Sequence, residues 1–323
     1  MTSADRLLAL ACGMLLAAVT RADGMMPHEW LDRMNNAVRQ LDYEGRFVVQ
    51  SGDRLDAMYL VHRVDNGVEK ERMVSLTGTP REIIRSDEAV ACVIPGRKRH
   101  INVGRRPVDR SFSPLNGVSG EQLARSYRMS VVGPGRVAGR DAQEILIEPR
   151  DGMRYGYRLF IDTESYLPLR SMMLDEEKRP VSQTMFTDLK IGHSITPIEH
   201  DLSAMQLARA DDSMQAPRER LAEPAWRFET LPPGFQMNAH RRRGASGGEL
   251  EHFIFSDGLA TLSVYVQPAA GEGLSGVSRF GAAKAVGRVL DGHEVIVVGE
   301  VPVDTLRWFS ERIEPVASRS GND

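Results

Sequence analysis

The run from Pro149 to Glu177, PRDGMRYGYRLFIDTESYLPLRSMMLDEE, constrains the fold more than any other stretch. Tyr155, Tyr157, Leu159 and Ile161 occupy every second position, with Arg154, Gly156 and Arg158 between them. Side chains alternate faces along a strand, so this spacing predicts a half-buried β-strand. Asp162-Thr-Glu-Ser165 is a cluster of short polar side chains suited to a turn. Leu167 to Leu174 then resumes as an apolar strand, with Pro168 where a missing N–H is tolerated. The stretch is an antiparallel hairpin with one apolar face. A lone hairpin is marginal in water, so it requires a larger sheet around it.

The rest of the chain supplies that sheet. Pro27 suits the first turn of a helix, and Trp30, Met34, Ala37, Val38 and Leu41 follow at helical spacing, predicting one helix over 27–41. Period-two strands follow at 45–51, 55–64, 67–76, 81–86 and 89–94, with Asn66-Gly67 as a hairpin turn. Short strands joined directly by turns predict a meander rather than βαβ units. Ser119, with Gln122 three residues on, is placed to cap a short helix towards Tyr127. Strands return at 129–132, 136–138, 143–148 and 181–191. Beyond a proline-punctuated stretch, strands are expected at 226–231, 235–242, 250–255 and 259–266. A hairpin at 283–290 and 294–300 turns at Asp291-Gly292, and Pro302 opens a helix through Leu306, Phe309 and Ile313.

This pattern divides the 323 residues. Residues 1–22 read as a signal peptide, with Arg6 before the apolar run Leu7–Val19 and small residues near Ala22. Residues 23–195 form the first domain, 196–225 a linker, 226–315 a smaller domain and 316–323 a tail. The predicted class is mainly β with few helices. Removal of Cys12 with the leader leaves Cys92 as the single cysteine, so no intramolecular disulfide is available.

Catalytic motifs fail on context. Gly271-Glu-Gly-Leu-Ser-Gly276 fits a dinucleotide fingerprint, but Pro268-Ala-Ala intervenes and no helix follows at once. Gly244-Ala-Ser-Gly-Gly248 fits a nucleophile elbow around Ser246, but a β-like run follows it instead of a helix. The eight histidines are scattered, without metal-ligand spacing. No enzyme and no cofactor are expected. Lys and Arg number 41 against 44 Asp and Glu, a formal net charge of −3, which gives nucleic acid no general hold. Two features remain. Arg97-Lys-Arg99, Arg105-Arg106 and Arg241-Arg-Arg243 are local basic clusters, and arginine forks bind carboxylates and phosphates. Methionines concentrate in the first domain, where thioethers fill core gaps or line adaptable apolar surfaces.

The same residues carry a resemblance. The pattern R-D-G-x-R-Y-x-Y, D-T-E-S-x-L-P-L-R and L-D within 150–175 resembles the RseB/MucB family. Further matching blocks are Pro80–Arg85, Leu231-Pro-Pro-Gly-Phe235, Phe255-Ser-Asp-Gly-Leu259 and Val298-Gly-Glu-Val-Pro302. The resemblance spans Trp30 to Phe309. It implies a LolA/LolB-like curved half-barrel sheet with a covering helix, plus a smaller antiparallel β-rich C-terminal domain. It also implies a periplasmic regulator that binds the periplasmic segment of a membrane-bound, RseA/MucA-like anti-sigma factor. Binding shields that segment from proteolysis, and lipopolysaccharide or another acylated lipid competes. The alternative is a periplasmic lipid or lipoprotein carrier without a regulatory partner. The partner site is expected at an Arg241, Arg242 and Arg243 loop, and the lipid site at Met58, Tyr155 and Tyr157 on the concave apolar face. Homo-oligomer formation stays open.

Overall fold

The computed structural model describes residues 24–86, 90–93, 100–102, 118–192, 194–198, 223–245, 248–269, 271 and 273–316. The leader with Cys12, the clusters at Arg97–Arg99 and Arg105–Arg106, Ser246, most of the linker and the tail beyond 316 lie outside the described residues.

Eleven strands form the first sheet: β1 (Tyr43–Ser51), β2 (Arg54–Asp65), β3 (Val68–Ser75), β4 (Glu82–Ser86), β5 (Val90–Val93), β6 (His100–Asn102), β7 (Tyr127–Val137), β8 (Arg140–Pro149), β9 (Gly156–Asp162), β10 (Pro168–Leu174) and β11 (Pro180–Ile191). Their order is β6-β5-β4-β3-β2-β1-β11-β10-β9-β8-β7, antiparallel throughout. Two meanders therefore join where β1 meets β11, Tyr43 opposite Ile191 and Ser51 opposite Ser182. The predicted turn residues Asn66 and Gly67 both take positive φ, as the hairpin geometry demands. The strands expected at 129–132 and 136–138 are one strand, β7. Pro134 does not interrupt it because β7 is an edge strand, where a missing N–H removes no ladder bond. The sheet curls: Val137 of β7 shares an apolar cluster with Leu169 of β10, and Met185 and Leu189 of β11 pack on it.

Helix α1 (Pro27–Gln40) covers this sheet. Leu31 and Met34 pack with Ile145, Ile147, Leu159 and Ile161, beside Leu123 of the single-turn helix α2 (Gly120–Leu123). One helical turn later, Ala37 and Val38 pack with Phe47, Met58, Leu60 and Phe186. Each fully buried large aliphatic side chain here contributes roughly 1.5–3 kcal/mol relative to exposure. The predicted cap on α2 is present, with Gln122 N–H donating to Ser119 Oγ at 3.2 Å.

The remainder comprises β12 (Trp226–Phe228), β13 (Gln236–Ala245), β14 (Gly248–Ser256), β15 (Thr261–Pro268), β16 (Gly276–Phe280), β17 (Ala283–Leu290), β18 (His293–Gly299), α3 (Val303–Glu311) and β19 (Ile313–Pro315). Six of the strands form an antiparallel sheet ordered β13-β14-β15-β18-β17-β16. Leu306 and Phe309 of α3 bury against Phe253, Phe255, Leu262, Val264, Val295 and Val297. The helix expected through Ile313 ends at Glu311, because Ile313 to Pro315 pair instead with β12. Strand β16 was not expected. Five residues that begin with Gly276 and are followed by Gly281, with no clean alternation, give no periodic signal.

Candidate functional site at the seam between the two sheets

The turn from β8 to β9 carries Arg154 into the space between the sheets. Asp151 Oδ1 accepts from Met153 N–H at 3.0 Å and shapes that turn. Arg154 is only 2% exposed. Its Nε lies 3.2 Å from Asp257 Oδ2, and its Nη2 donates to the Pro233 carbonyl at 2.6 Å. The guanidinium stacks over Phe235 at 4.8 Å and reaches Tyr127 at 5.7 Å. Tyr127 donates its hydroxyl to Asp257 Oδ2 at 2.9 Å. The other carboxylate oxygen accepts from the backbone N–H of Leu259 and Ala260, at 2.9 and 2.7 Å. Burial first, then the Asp257 charge, push the Tyr127 hydroxyl well above its ordinary pKa of 10.0, so it stays a donor.

An arginine and an aspartate without solvent contact are strongly coupled. Removing one partner of such a pair costs about 3–5 kcal/mol, because the other is left charged and buried. The contact is wider than this pair. Thr305 Oγ1 of α3 donates to the Met153 carbonyl at 2.7 Å. Lys284 Nζ of β17 donates to Tyr155 Oη at 2.5 Å. Ala282 N–H donates to Ser51 Oγ at 3.0 Å. Leu259 joins the cluster under α1. Gly258, at φ 101°, packs so tightly that a Cβ would lie 2.6 Å from Val118.

The sequence blocks that carry the family resemblance converge here. Arg154 and Tyr155 belong to the first block, Pro233 and Phe235 to Leu231–Phe235, and Asp257 and Leu259 to Phe255–Leu259. Their spatial meeting had no signal in any one stretch.

The expected site residues are distributed differently. Arg241, Arg242 and Arg243 are not in a loop. They lie on β13, opposite His252, Glu251 and Leu250 of β14. An edge strand tolerates charged residues, which is why a basic triplet can be strand. Arg242 pairs with Glu249 and lies 3.6 Å from Glu251 Oε1. Glu251 also takes the Ala225 N–H at 3.0 Å and His240 Nε2 at 3.0 Å. Arg243 is exposed. Met58, at 6% exposure, packs under α1 with Phe47 and Phe186. Tyr155 packs in the seam with Met173 and Ala282, and Tyr157 lies against that cluster, its hydroxyl 3.3 Å from Met173 Sδ. The two tyrosines are therefore together, and Met58 belongs to a separate cluster.

On the face of the first sheet away from α1, Glu44, Arg46, Tyr59, Asp188, Lys190 and Thr196 line a polar cavity of about 200 Å³. Burial alone would raise the Glu44 pKa. Hydrogen bonds from Thr196, Tyr59 and Lys190 outweigh it and lower the value from 4.5 to about 2. Glu44 thus holds the chain as it leaves the first sheet.

Comparison with known proteins places this architecture. Residues 26–209 match the MucB/RseB N-terminal domain and residues 220–314 the MucB/RseB C-terminal domain. Sigma factor AlgU regulatory protein MucB of Pseudomonas aeruginosa is 32% identical over 326 residues, covering 98% of this chain and 99% of that protein. Sigma-E factor regulatory protein RseB of Escherichia coli K12 is 29% identical over 318 residues, covering 95% and 96%. Among solved structures, the Pseudomonas aeruginosa MucA/MucB complex aligns with TM-score 0.71 at 30% identity, covering 90% of this chain and 99% of the other. MucB in complex with MucA(peri) aligns with TM-score 0.69 at 29% identity, covering 91% and 100%. Matched over both of its sheets and across the seam that joins them, this chain belongs to the MucB/RseB family.

Proposed function

We propose that this protein is a periplasmic regulator of an envelope-stress sigma factor. It binds the periplasmic segment of a membrane-bound, RseA/MucA-like anti-sigma factor and shields it from proteolysis. Lipopolysaccharide or another acylated lipid acts as the competing signal. The observation that carries this reading is full-length likeness, in sequence and fold, to a sigma factor regulatory protein whose structure is solved with MucA. The seam adds a physical reason. A regulator that grips a flexible segment benefits from a pre-organised surface, and the buried contacts around Arg154 hold two sheets in one arrangement. No step of chemistry is needed. A ligand that prefers the free regulator to the complex shifts the equilibrium by its differential affinity, and each tenfold preference corresponds to about 1.4 kcal/mol.

Titration of the purified mature protein with the anti-sigma periplasmic segment, with and without lipopolysaccharide, tests this. Saturable binding that weakens as lipopolysaccharide rises is expected. Absence of binding, with lipid retained through purification, would identify a carrier instead. The basic edge of β13 is the proposed docking point for acidic residues of the partner. Arg243→Glu, which leaves the Arg242 ion pairs in place, is expected to weaken binding. Unchanged affinity would remove this edge from the contact surface.

A further inference from the structure

The described residues end their two main sheets at four edges: β6, β7, β13 and β16. An exposed edge is a template for another strand, and proteins blunt edges with bulges, prolines, charges or short length. β6 is three residues long. β7 carries Pro134 and a bulge between Val131 and Gly133. β13 has a bulge between Met237 and Ala239 and the three arginines. β16 has neither bulge nor proline, and Arg279 is its one charge. Its pairing with β17 runs unbroken from Gly276 opposite Gly287 to Phe280 opposite Ala283. Val277 and Phe280 are 41% and 66% exposed, so apolar side chains stand on both faces of this edge.

The hairpin defines which backbone groups are open. β16 and β17 are joined by two residues, Gly281 at φ 62° and Ala282. In such a hairpin the flanking pair, Phe280 and Ala283, exchanges its hydrogen bonds, and inward and outward residues then alternate. Ser278 therefore bonds inward to β17, while the N–H and C=O of Val277 and Arg279 face outward. Charge selects the occupant. Arg279 stands directly opposite Lys284. Like charges facing each other across a ladder are unfavourable, and Arg279 has no ion pair among the described residues. A carboxylate on a third strand would relieve this. A second copy of the chain would bring another arginine instead. The edge is also continuous with the seam. Lys284 reaches Tyr155, and Gly52 in the β1–β2 turn is close enough to Gly281 that a Cβ there would lie 3.4 Å from its Cα.

We infer that β16 is a docking edge for an extended acidic peptide, which pairs through Val277 and Arg279 as a seventh strand of the second sheet. The inference deepens the regulatory reading and rests on it for the partner, an acidic stretch of the anti-sigma factor's periplasmic part. Strand addition of this kind draws affinity from main-chain hydrogen bonds and specificity from alternate side chains.

Hydrogen exchange of the mature protein, with and without the purified anti-sigma periplasmic segment, tests it. The amides of Val277 and Arg279 are expected to slow about tenfold or more on saturation. Val277→Pro removes an outward N–H and no ladder bond, so it is expected to raise Kd about tenfold with little change in Tm. Arg279→Glu keeps the backbone and is expected to weaken binding as well. Binding by the wild type with both amides unprotected and both variants unaffected would overturn the inference and leave the regulatory reading intact. No binding by the wild type would remove both. Self-association that Val277→Pro abolishes would show that the edge pairs with a second copy, and would also overturn it.

Discussion

The space beneath α1 and the seam between the sheets are both buried, but they are closed by opposite means. Beneath α1, Leu31 and Met34 of one apolar cluster and Val38, Leu60 and Phe186 of another pack by apolar contact. In the seam, an ion pair, a tyrosine hydroxyl and a backbone carbonyl meet around Arg154. Apolar packing is non-directional and tolerates repacking. A buried ion pair offsets its desolvation only when the geometry is good. The first region therefore supplies stability, and the second supplies a defined relation between the two sheets.

The largest expected effect breaks that contrast at the seam. Asp257→Ala should cost about 3–5 kcal/mol in chemical denaturation, because Arg154 is left buried with Asp151, 3.7 Å from its Nε, as its remaining carboxylate partner. It should also broaden the intraparticle pair-distance distribution in small-angle scattering. Replacing both partners with Arg154→Met and Asp257→Asn, whose amide oxygen still accepts the Leu259 and Ala260 N–H groups, should recover much of the stability. A single-variant loss under about 1 kcal/mol would show that the pair does not hold the sheets. Leu60→Ala, in the apolar region, should cost about 3 kcal/mol through a cavity yet leave the scattering profile unchanged. A changed profile would mean the two regions are not independent. Thr305→Val removes the hydroxyl bond to Met153 and should cost about 1 kcal/mol, visible as a small fall in Tm.

The smallest effect is read as a slope. Glu44 has a folded pKa of about 2 against an ordinary 4.5, so its contribution is complete above about pH 4.5 and is lost as pH falls towards 2. Glu44→Gln should flatten the acid limb of the stability curve over that window. An unchanged limb would show that Thr196 and Lys190 do not hold this carboxylate.

Much of the fold was readable along the chain. Alternation at Tyr157, Leu159 and Ile161, the Asn66-Gly67 and Asp291-Gly292 turns, Pro27 and the Ser119 cap are local matters of side-chain spacing and backbone dihedrals. These mark strands, turns and helix starts without help from distant residues. The same alternation misled at Arg154, which reads as a solvent-side position between apolar neighbours. It lies just before β9, and the second sheet lands on it. Arg241 and Arg242 close the strand expected at 235–242, yet the triplet also reads as a loop because charge suggests solvent, whereas an edge strand offers solvent and a ladder together. Residues 276–280 gave no period at all.

By itself, the sequence determined two antiparallel units and the helix that covers the first. Tertiary structure decided that Arg154 and Asp257, 103 positions apart in the chain, share one buried contact. It also decided which strand became an open edge. The reason is physical: periodicity reports how one element meets its own core, while a seam is made by two surfaces whose approach no local pattern encodes.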